Sequence, residues 1–321
     1  MKIERIAAAE LGLDVAEEIA GVITASEAGL GLPAPTGPGW LLATQHSSEA
    51  PTEGVWVARV DGRVVGWANL VLPVREYTDV ALVGGCVHPD HRNKGIGRAL
   101  HDSVTPATDR PWLRMRTWHG SPGEQVLADH GAARTLTHVV RRLDLTDAHG
   151  SWPRLREDPA AAARDYTLVR RAGPTPTEAL EEMRMLREAI NDAPDAVEFE
   201  AYPPDRITAY EQDLVSRRQT QYAVLARHRT TGEPAGLTMV CVDEFAPSVA
   251  HQEDTSVVPA HRGHGLGLLL KLEMSEWLRA ERPEVVATDT WNAHDNHHMI
   301  ALNERLGLTV VAHNSAWRLT R

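Results

Sequence analysis

Two glycine-rich segments of the same design stand 170 residues apart in this chain. The first runs from Val87 to Gly97 and the second from Val257 to Gly267, and both contain the pattern Arg-x-x-Gly-x-Gly. Each segment follows an apolar, strand-like run and begins an amphipathic, helix-like run. Such a turn aims several backbone N–H groups at one point, and the helix N-terminus adds partial positive charge. The chemistry that this pattern predicts is the binding of a pyrophosphate.

The repeat extends beyond the glycine segments, since Gly66 and Gly236 are also 170 residues apart. A pattern repeated at a fixed spacing indicates a duplicated domain. The length of 321 residues fits two domains of about 150 residues each. We therefore predict an N-terminal domain over residues 1–145, a linker with a short helix over 146–165, and a C-terminal domain over 166–321.

Both halves predict the same order of elements around their glycine segments. In the first half, Lys2–Ile6 is typical of a strand, Leu13–Leu30 of an amphipathic helix, and the Pro/Gly-rich stretch Leu32–Gly39 of a loop. Asp61-Gly62 between two apolar runs is a strong hairpin signal. Hairpins followed by alternating strands and helices predict a duplicated α+β (mixed α/β) fold.

Composition narrows the possible partners. The net charge of −11 argues against nonspecific binding to nucleic acid or to anionic membranes, and it fits a positively charged acceptor such as an amine. No apolar window is long enough for a membrane span, and the N-terminus begins as a strand rather than a signal peptide. We expect a cytoplasmic protein. The sequence leaves the oligomeric state open, including a homo-oligomer.

These features make the chain resemble the GNAT superfamily of N-acetyltransferases over nearly its whole length. The resemblance rests on the Arg-x-x-Gly-x-Gly loop after a Val-x-Pro strand end, present twice in matching context. The layout is similar to the mycothiol synthase type, whose pattern implies a catalytic C-terminal half. The resemblance implies two GNAT domains, each a mixed, mostly antiparallel sheet flanked by helices. It also implies direct transfer of an acetyl group from acetyl-CoA to a primary amine of a small molecule, such as an amino-sugar, an aminoglycoside-like compound or a metabolite amine.

The resemblance further implies which residues bind acetyl-CoA. Backbone groups of Val257 and Val258 would pair with the pantetheine arm, and the loop amides would hold the pyrophosphate. Asn296 matches the asparagine that opens the family's last helix. The expected cofactor-binding residues of the C-terminal half are Val257, Val258, Arg262, Gly263, His264, Gly265, Leu266, Gly267, Asn292, Asn296 and Asn303. Their possible counterparts in the N-terminal half are Val87, Arg92, Lys94, Gly95 and Gly97.

The C-terminal half also carries two candidate catalytic bases. Amide formation from a thioester needs a base, because a protonated amine has no lone pair. GNAT enzymes usually place that base nine or eleven residues before the loop arginine, which gives Glu253 and His251. Strand alternation predicts that His251, Glu253, Thr255 and Val257 share one face.

The N-terminal half lacks such groups. The same count from Arg92 gives Val83 and Ala81, which accept no proton. Gly120 replaces the asparagine that contacts CoA, and Leu127 falls at the family's tyrosine position. We therefore expect the C-terminal half to be catalytic and the N-terminal half not.

One departure from the family concerns the proton given to the departing thiolate. The family's last helix usually supplies it from a tyrosine, but this chain has Asn303 there, and asparagine has no titratable proton. A CoA thiol has a pKa of about 8.5 and can leave with little help. A proton from the substrate, Tyr202 or Tyr210 could also serve, so the general acid stays open.

One cluster of acidic residues and one cluster of histidines can each be explained either by a function or by simple surface exposure. The segment Asp192–Pro204, with acidic Asp195, Glu198 and Glu200, either receives a cationic acceptor or is a solvated loop. His294, His297 and His298 stand near one another without a thiol, and we expect surface or substrate-facing histidines rather than a metal site.

Two alternatives to an enzyme remain. The chain could bind acyl-CoA and regulate a partner without turnover, or its N-terminal half could be a scaffold.

Overall fold

The computed structural model describes residues 1–146, 152–157, 164–192 and 199–320. The chain divides into two compact units, one formed by Met1–Val139 with Val311–Arg321 and the other by Val140–Val310. This division differs from the predicted one at both ends of the second half. Residues 311–321 were predicted in the C-terminal domain but belong to the first unit, because the last strand pairs there. Residues 140–145 were predicted in the N-terminal domain but belong to the second unit.

The first unit contains five complete strands, parts of two others, and four α-helices among its described residues. The strands are β1 (Lys2–Ile6), β2 (Thr52–Val60), β3 (Arg63–Val71), β4 (Val80–Val87), β5 (Trp112–Trp118), the start of β6 (Ala133–Asp144) and, after the second unit, β12 (Thr309–Thr320). The helices are α1 (Leu13–Ser26), α2 (Gly37–Gln45), α3 (Ile96–Val104) and α4 (Pro122–Asp129).

The sheet of the first unit has the order β1-β2-β3-β4-β5-β12-β6. Its strands pair in antiparallel fashion from β1 to β4, whereas β4 and β5 are parallel. The β2–β3 hairpin turns at Asp61 and Gly62, whose φ angles of 51° and 82° suit a tight hairpin turn. Strand β12 pairs with β5 over the seven residues from Asn314 to Thr320. The chain thus closes this sheet with its final strand.

The second unit repeats the plan. Its strands are the end of β6, β7 (Tyr166–Ala172), β8 (Gln219–His228), β9 (Pro234–Asp243), β10 (Val249–Val257) and β11 (Ala287–Ala293). Its helices are α5 (Trp152–Glu157), α6 (Leu180–Glu188), α7 (Pro204–Ser216), α8 (Leu266–Glu281) and α9 (His297–Leu306). The sheet order is β7-β8-β9-β10-β11-β6, with β10 and β11 parallel.

Helices cover both faces of the second sheet. On one face α8 buries an apolar cluster that includes Leu270, Leu272 and Val240. On the other face α6 and α7 enclose a smaller cluster around Met183 and Ile207. The side chain of each β10 residue therefore lies either on the α8 side or on the α6/α7 side of the sheet, and its side determines which residues it contacts.

The predicted α+β fold, with its duplicated element order, is confirmed. The main local difference is α2, which begins at Gly37 inside the stretch predicted as a loop. Thr36 caps this helix, since its Oγ1 accepts a hydrogen bond from Gly39 N at 3.2 Å, and a proline occupies the first turn. Pro and Gly mark the start of a helix here rather than the absence of one. The predicted linker contains α5, and its residues 147–151 and 158–163 lie outside the described part.

Candidate active site

Strand β10 carries a β-bulge at the position of the predicted base. Gln252 pairs with Val240 and Thr255 with Thr238 on β9. Two residues, Glu253 and Asp254, therefore stand opposite a single residue of the partner strand. A bulge bends its strand and leaves the extra residue outside the regular ladder, and such bulges are common beside active sites.

The parallel pair β10–β11 separates at the same level. Its ladder covers Val249 to His251 on β10 and ends at Asp289 on β11 in the described part of the chain. Both strands then continue, to Val257 and Ala293. The sheet is therefore split next to the bulge, and backbone groups on both sides of the split are available to a ligand.

The bulge overturns the prediction that His251, Glu253, Thr255 and Val257 share a face. Thr255 bonds to Thr238 through the two hydroxyl oxygens at 2.8 Å, and Val257 packs against the cluster under α8. Glu253 lies on the opposite side, where it meets Tyr210 of α7. The extra residue reverses the alternation beyond the bulge, which simple counting cannot detect.

Glu253 has the surroundings of a general base. Its Oε2 accepts a hydrogen bond from Tyr210 Oη at 3.5 Å. The side chain is open to solvent, yet protein surrounds it on the remaining sides. The resulting desolvation, aided by the neighbouring Asp254 carboxylate, raises the pKa of Glu253 above the usual range of a glutamate. A solvent-accessible carboxylate with a raised pKa is suited to take a proton from an ammonium group.

Arg187 organises the pocket around Glu253. Its guanidinium lies 4.2 Å from the ring centre of Tyr202 and 5.0 Å from that of Tyr210, and its Nη2 donates to Asp254 Oδ2 at 3.2 Å. The arginine is 8% exposed. It therefore neutralises Asp254 and holds the Tyr210 ring that reaches Glu253.

His251 lies on the side of the sheet opposite Gln252, with Asp289 as its partner across the ladder. Burial lowers the pKa of His251, while Asp289 acts against this shift. Asp289 itself is held by Arg142, which donates to both of its carboxylate oxygens at 2.7 Å. His251 is therefore neutral at neutral pH and able to accept a proton.

The glycine segment of the second unit has the shape that anion binding needs. Gly263 and Gly265 adopt φ angles of 80° and 72°, and a side chain added at Gly263 would meet no atom within 4 Å. Gly265 precedes the first residue of α8, and no side chain caps that helix. The first amides of α8 thus have no partner within the helix, and such amides can bind an anion.

The predicted asparagines lie in two different settings. Asn296 caps α9, with its Oδ1 accepting from Met299 N at 3.2 Å. Asn303 is fully buried, and its Nδ2 donates to Asn292 Oδ1 at 2.7 Å. The Asn303 Oδ1 accepts from Lys271 Nζ at 3.1 Å. Lys271 was not among the predicted site residues, although a single lysine within the run Leu268–Leu272 of an apolar helix face was a visible signal.

Several other predicted residues also have defined positions. Tyr202 Oη donates to Glu200, whereas Asp195 and Glu198 lie outside the described residues. His294, His297 and His298 are exposed.

Among the described residues, one group could hold a metal ion, formed by His101, Asp102 and His130 of the first unit, with ligand atoms within 4.8 Å of one another. No helix of the described chain is long and apolar enough to cross a membrane.

The first unit has a similar glycine loop, but the strand that leads into it, β4, differs from β10. Asn93 and Gly95 have φ angles of 60° and 78°, and α3 likewise begins without a side-chain cap. Arg92 donates from Nε to Val87 O, as Arg262 does to Val257 O, and from Nη2 to Ser26 Oγ.

Strand β4 of the first unit pairs with β3 without a bulge. Leu82 and Gly84 consequently occupy the register positions of His251 and Glu253. The count that pointed to Ala81 and Val83 was off by one residue, because β4 lacks the extra residue of β10. All four first-unit residues lack a proton-accepting side chain.

Comparison with known proteins identifies the class. A solved tandem GNAT protein from the clavulanic acid biosynthesis pathway, without AcCoA, is 28% identical, with a TM-score of 0.80 over 99% of this chain and 98% of that chain. A GCN5-related N-acetyltransferase from Sphaerobacter thermophilus is 17% identical, with a TM-score of 0.66 over 99% and 95% of the two chains. A GNAT-family acetyltransferase from Colwellia psychrerythraea is 13% identical, with a TM-score of 0.58 over the whole of both chains. The last two show a shared fold.

The fold defines a tandem acyltransferase of the GNAT class. A model of the acetyltransferase (GNAT) family matches residues 20–107 and 183–308, more than half of the chain. The chain belongs to this family. A search of curated proteins finds no match.

Proposed function

We propose that this protein is an acetyl-CoA-dependent N-acetyltransferase whose second unit acetylates a primary amine of a small molecule. The observation that carries the proposal is the bulge of β10, which presents Glu253 beside a split sheet. The glycine loop lies at the end of the same strand, so one strand connects the proposed base to the proposed pyrophosphate site. The similarity to a protein of a small-molecule pathway favours a small acceptor over a protein chain.

The proposed reaction uses these residues in order. Glu253 takes a proton from the ammonium group of the acceptor, and Tyr210 holds the carboxylate in place. The free amine attacks the thioester carbonyl while both substrates lie in one site, which supplies proximity. Unpaired backbone N–H groups at the bulge stabilise the negative oxygen of the tetrahedral intermediate. The C–S bond then breaks and CoA leaves as the thiolate.

The acceptor side of the proposed site is negatively charged. Glu253 and Asp254 stand at the bulge, and Glu200 lies near α7 beside Tyr202. Arg187 offsets Asp254, so Glu253 remains to attract the acceptor. A cationic amine is the acceptor that suits this pocket.

We also propose that the first unit does no acetyl transfer. Leu82 and Gly84 replace the candidate bases there, and Gly85 leaves no room for a larger residue, since an added Cβ would lie 2.5 Å from Trp67 O. The intact loop of this unit still permits CoA to bind.

Calorimetric titration with acetyl-CoA, followed by a thiol-release assay over a panel of small amines, tests both parts. One site per chain, together with thiol release that depends on an amine, is the expected result. Absence of binding at micromolar acetyl-CoA would refute the acyltransferase proposal. Binding without release for any amine would favour a regulatory CoA-binding protein.

A further inference from the structure

Lys271 is a buried ammonium group without a charged partner. It lies on α8, is 5% exposed, and uses Asn303 Oδ1 as its hydrogen-bond acceptor. Among the residues that the structure describes, no carboxylate lies within ion-pair distance of its Nζ. Burying an unpaired charge is costly, and lysine is normally kept at the surface. Packing alone does not account for a lysine at this position.

The surroundings of Lys271 connect it to the split in the sheet. A cavity of about 20 Å³ lies beside it, with space for one water molecule. Its polar lining includes Gln252, the last residue before the bulge, and Thr290, the first residue of β11 beyond the ladder. The lysine therefore lies under the point where the two strands separate.

We propose that the Lys271 ammonium, held by Asn303, protonates the CoA thiolate as it leaves the second unit. This inference rests on the proposed acetyl transfer. Asn303 stands where a tyrosine would be expected and has no proton to give, whereas its hydrogen-bond partner does. The thiolate keeps the electron pair of the broken C–S bond and takes one proton from Lys271, directly or through the cavity water. The neutral lysine regains a proton from solvent after CoA departs.

The pKa of Lys271 is set by its burial among uncharged groups. Its hydrogen-bond partner is Asn303 from α9, and the other polar residues that line the adjacent cavity are Gln252 from β10, Ser275 from α8, and Thr288 and Thr290 from β11; none of these five is ionisable. Burial lowers the pKa of Lys271 to about 8. An acid with a pKa near the working pH is well matched to a thiol of similar pKa.

The sequence contains three lysines, Lys2, Lys94 and Lys271, which makes the test selective. NMR of the full chain with isotope-labelled lysine should show one side-chain signal that titrates near pH 8 and is lost in Lys271→Met. Adding CoA should shift this signal, and adding CoA that lacks its sulfur should not. A Lys271 signal that ignores the thiol, or that titrates like the other two, would overturn the proposal.

Kinetics give a second, independent readout. Lys271→Met should lower kcat by about 10- to 100-fold and remove the alkaline limb of its pH profile, with KM for acetyl-CoA little changed. Adding Asn303→Tyr to that variant should restore part of kcat by supplying a phenol. Lys2→Met, the same change at an exposed site, is the control. An unchanged kcat and pH profile in Lys271→Met would refute this inference alone, whereas a wild-type protein that transfers no acetyl group would refute the proposed function itself.

Discussion

Strands β4 and β10 occupy equivalent places in the two units and differ by one inserted residue. Both enter a glycine loop, and both pair with a parallel neighbour for a few residues. The bulge of β10 turns Glu253 and Asp254 towards α6 and α7, whereas the regular β4 has Gly84 at that position. The comparison teaches that one inserted residue distinguishes the units: both have the glycine loop, and one has the proposed base. Under the proposed roles, CoA binding and catalysis would be separable.

Removing the proposed base should have the largest effect on activity. Glu253→Gln keeps the size of the side chain but cannot accept a proton, and kcat should fall by about 100-fold or more. The measurement is steady-state acetyl transfer. The matched control is Glu27→Gln, because Glu27 of the first unit is a carboxylate whose pKa burial also raises. Equal losses in both variants would contradict the division of labour between the units.

Lys271→Met should stabilise the protein at neutral pH. The pKa of Lys271 is about 8 in the folded chain and about 10.4 in the unfolded chain, so folding is penalised while the folded group is charged. The penalty, on the order of 3 kcal/mol, is complete below pH 8, fades as the pH rises, and vanishes above about 10.4. Thermal unfolding should show a gain at pH 7 that shrinks by pH 10.

His101 provides the comparison in the first unit, since it stands 170 residues before Lys271. Burial lowers the pKa of His101 below that of an ordinary histidine. The lowered pKa of His101 reduces the free energy of unfolding only below the unfolded-state pKa of about 6.5. His101→Leu should therefore not gain stability at pH 7 by removing this effect. A pH-independent gain in Lys271→Met would show that folding leaves the pKa of the lysine unshifted, because Lys271 would then bind the same number of protons in the folded and unfolded states.

A negative charge in each glycine loop should separate the two candidate CoA sites. Gly263 and Asn93 occupy the same place in the two loops, both at positive φ, and Asp tolerates that conformation. Gly263→Asp should weaken acetyl-CoA binding by about ten-fold, through repulsion at the pyrophosphate. Gly263→Asn controls for the side chain. Calorimetry of Asn93→Asp then reports on the first unit, and a loss of affinity there as well would show that both loops hold CoA.

His251→Gln should have the smallest effect, a few-fold fall in kcat, because Glu253 remains as the base. The dependence of kcat/KM on pH distinguishes Glu253 from His251 as the base. The raised pKa of Glu253 places the acid limb of kcat/KM above the range of an ordinary glutamate, since only the ionised carboxylate accepts a proton. The limb should persist in His251→Gln and disappear in Glu253→Gln. If His251→Gln alone abolishes it, the histidine is the base.

The candidate site was largely predictable where it depends on local sequence. The loop pattern located both helix starts, since α3 and α8 begin directly after Gly95 and Gly265. Counting back from the loop found Glu253 because the bulge lies within the counted stretch. The face of Thr255 and the first-unit counterparts were wrong for the same reason, since a bulge depends on the partner strand.

Features that depend on packing between distant segments could not be predicted. Lys271 meets Asn303 only when α8 and α9 pack together, and the pairing of β12 with β5 joins segments far apart in sequence. Helix α2 was missed because its first turn is rich in Gly and Pro, residues that favour loops unless a cap such as Thr36 fixes the start. Tertiary context decided the first two cases, and a local cap decided the third.

The pairing of β12 with β5 has a consequence for the order in which the units are completed. Thr117 and Trp317, which share a hydrogen bond at 2.7 Å across these strands, are 200 positions apart. During synthesis the N-terminal segments emerge first, but the first unit cannot complete its sheet until the last strand has been made. The second unit can therefore close earlier, and the half of the chain that is translated first should be the half that finishes folding last.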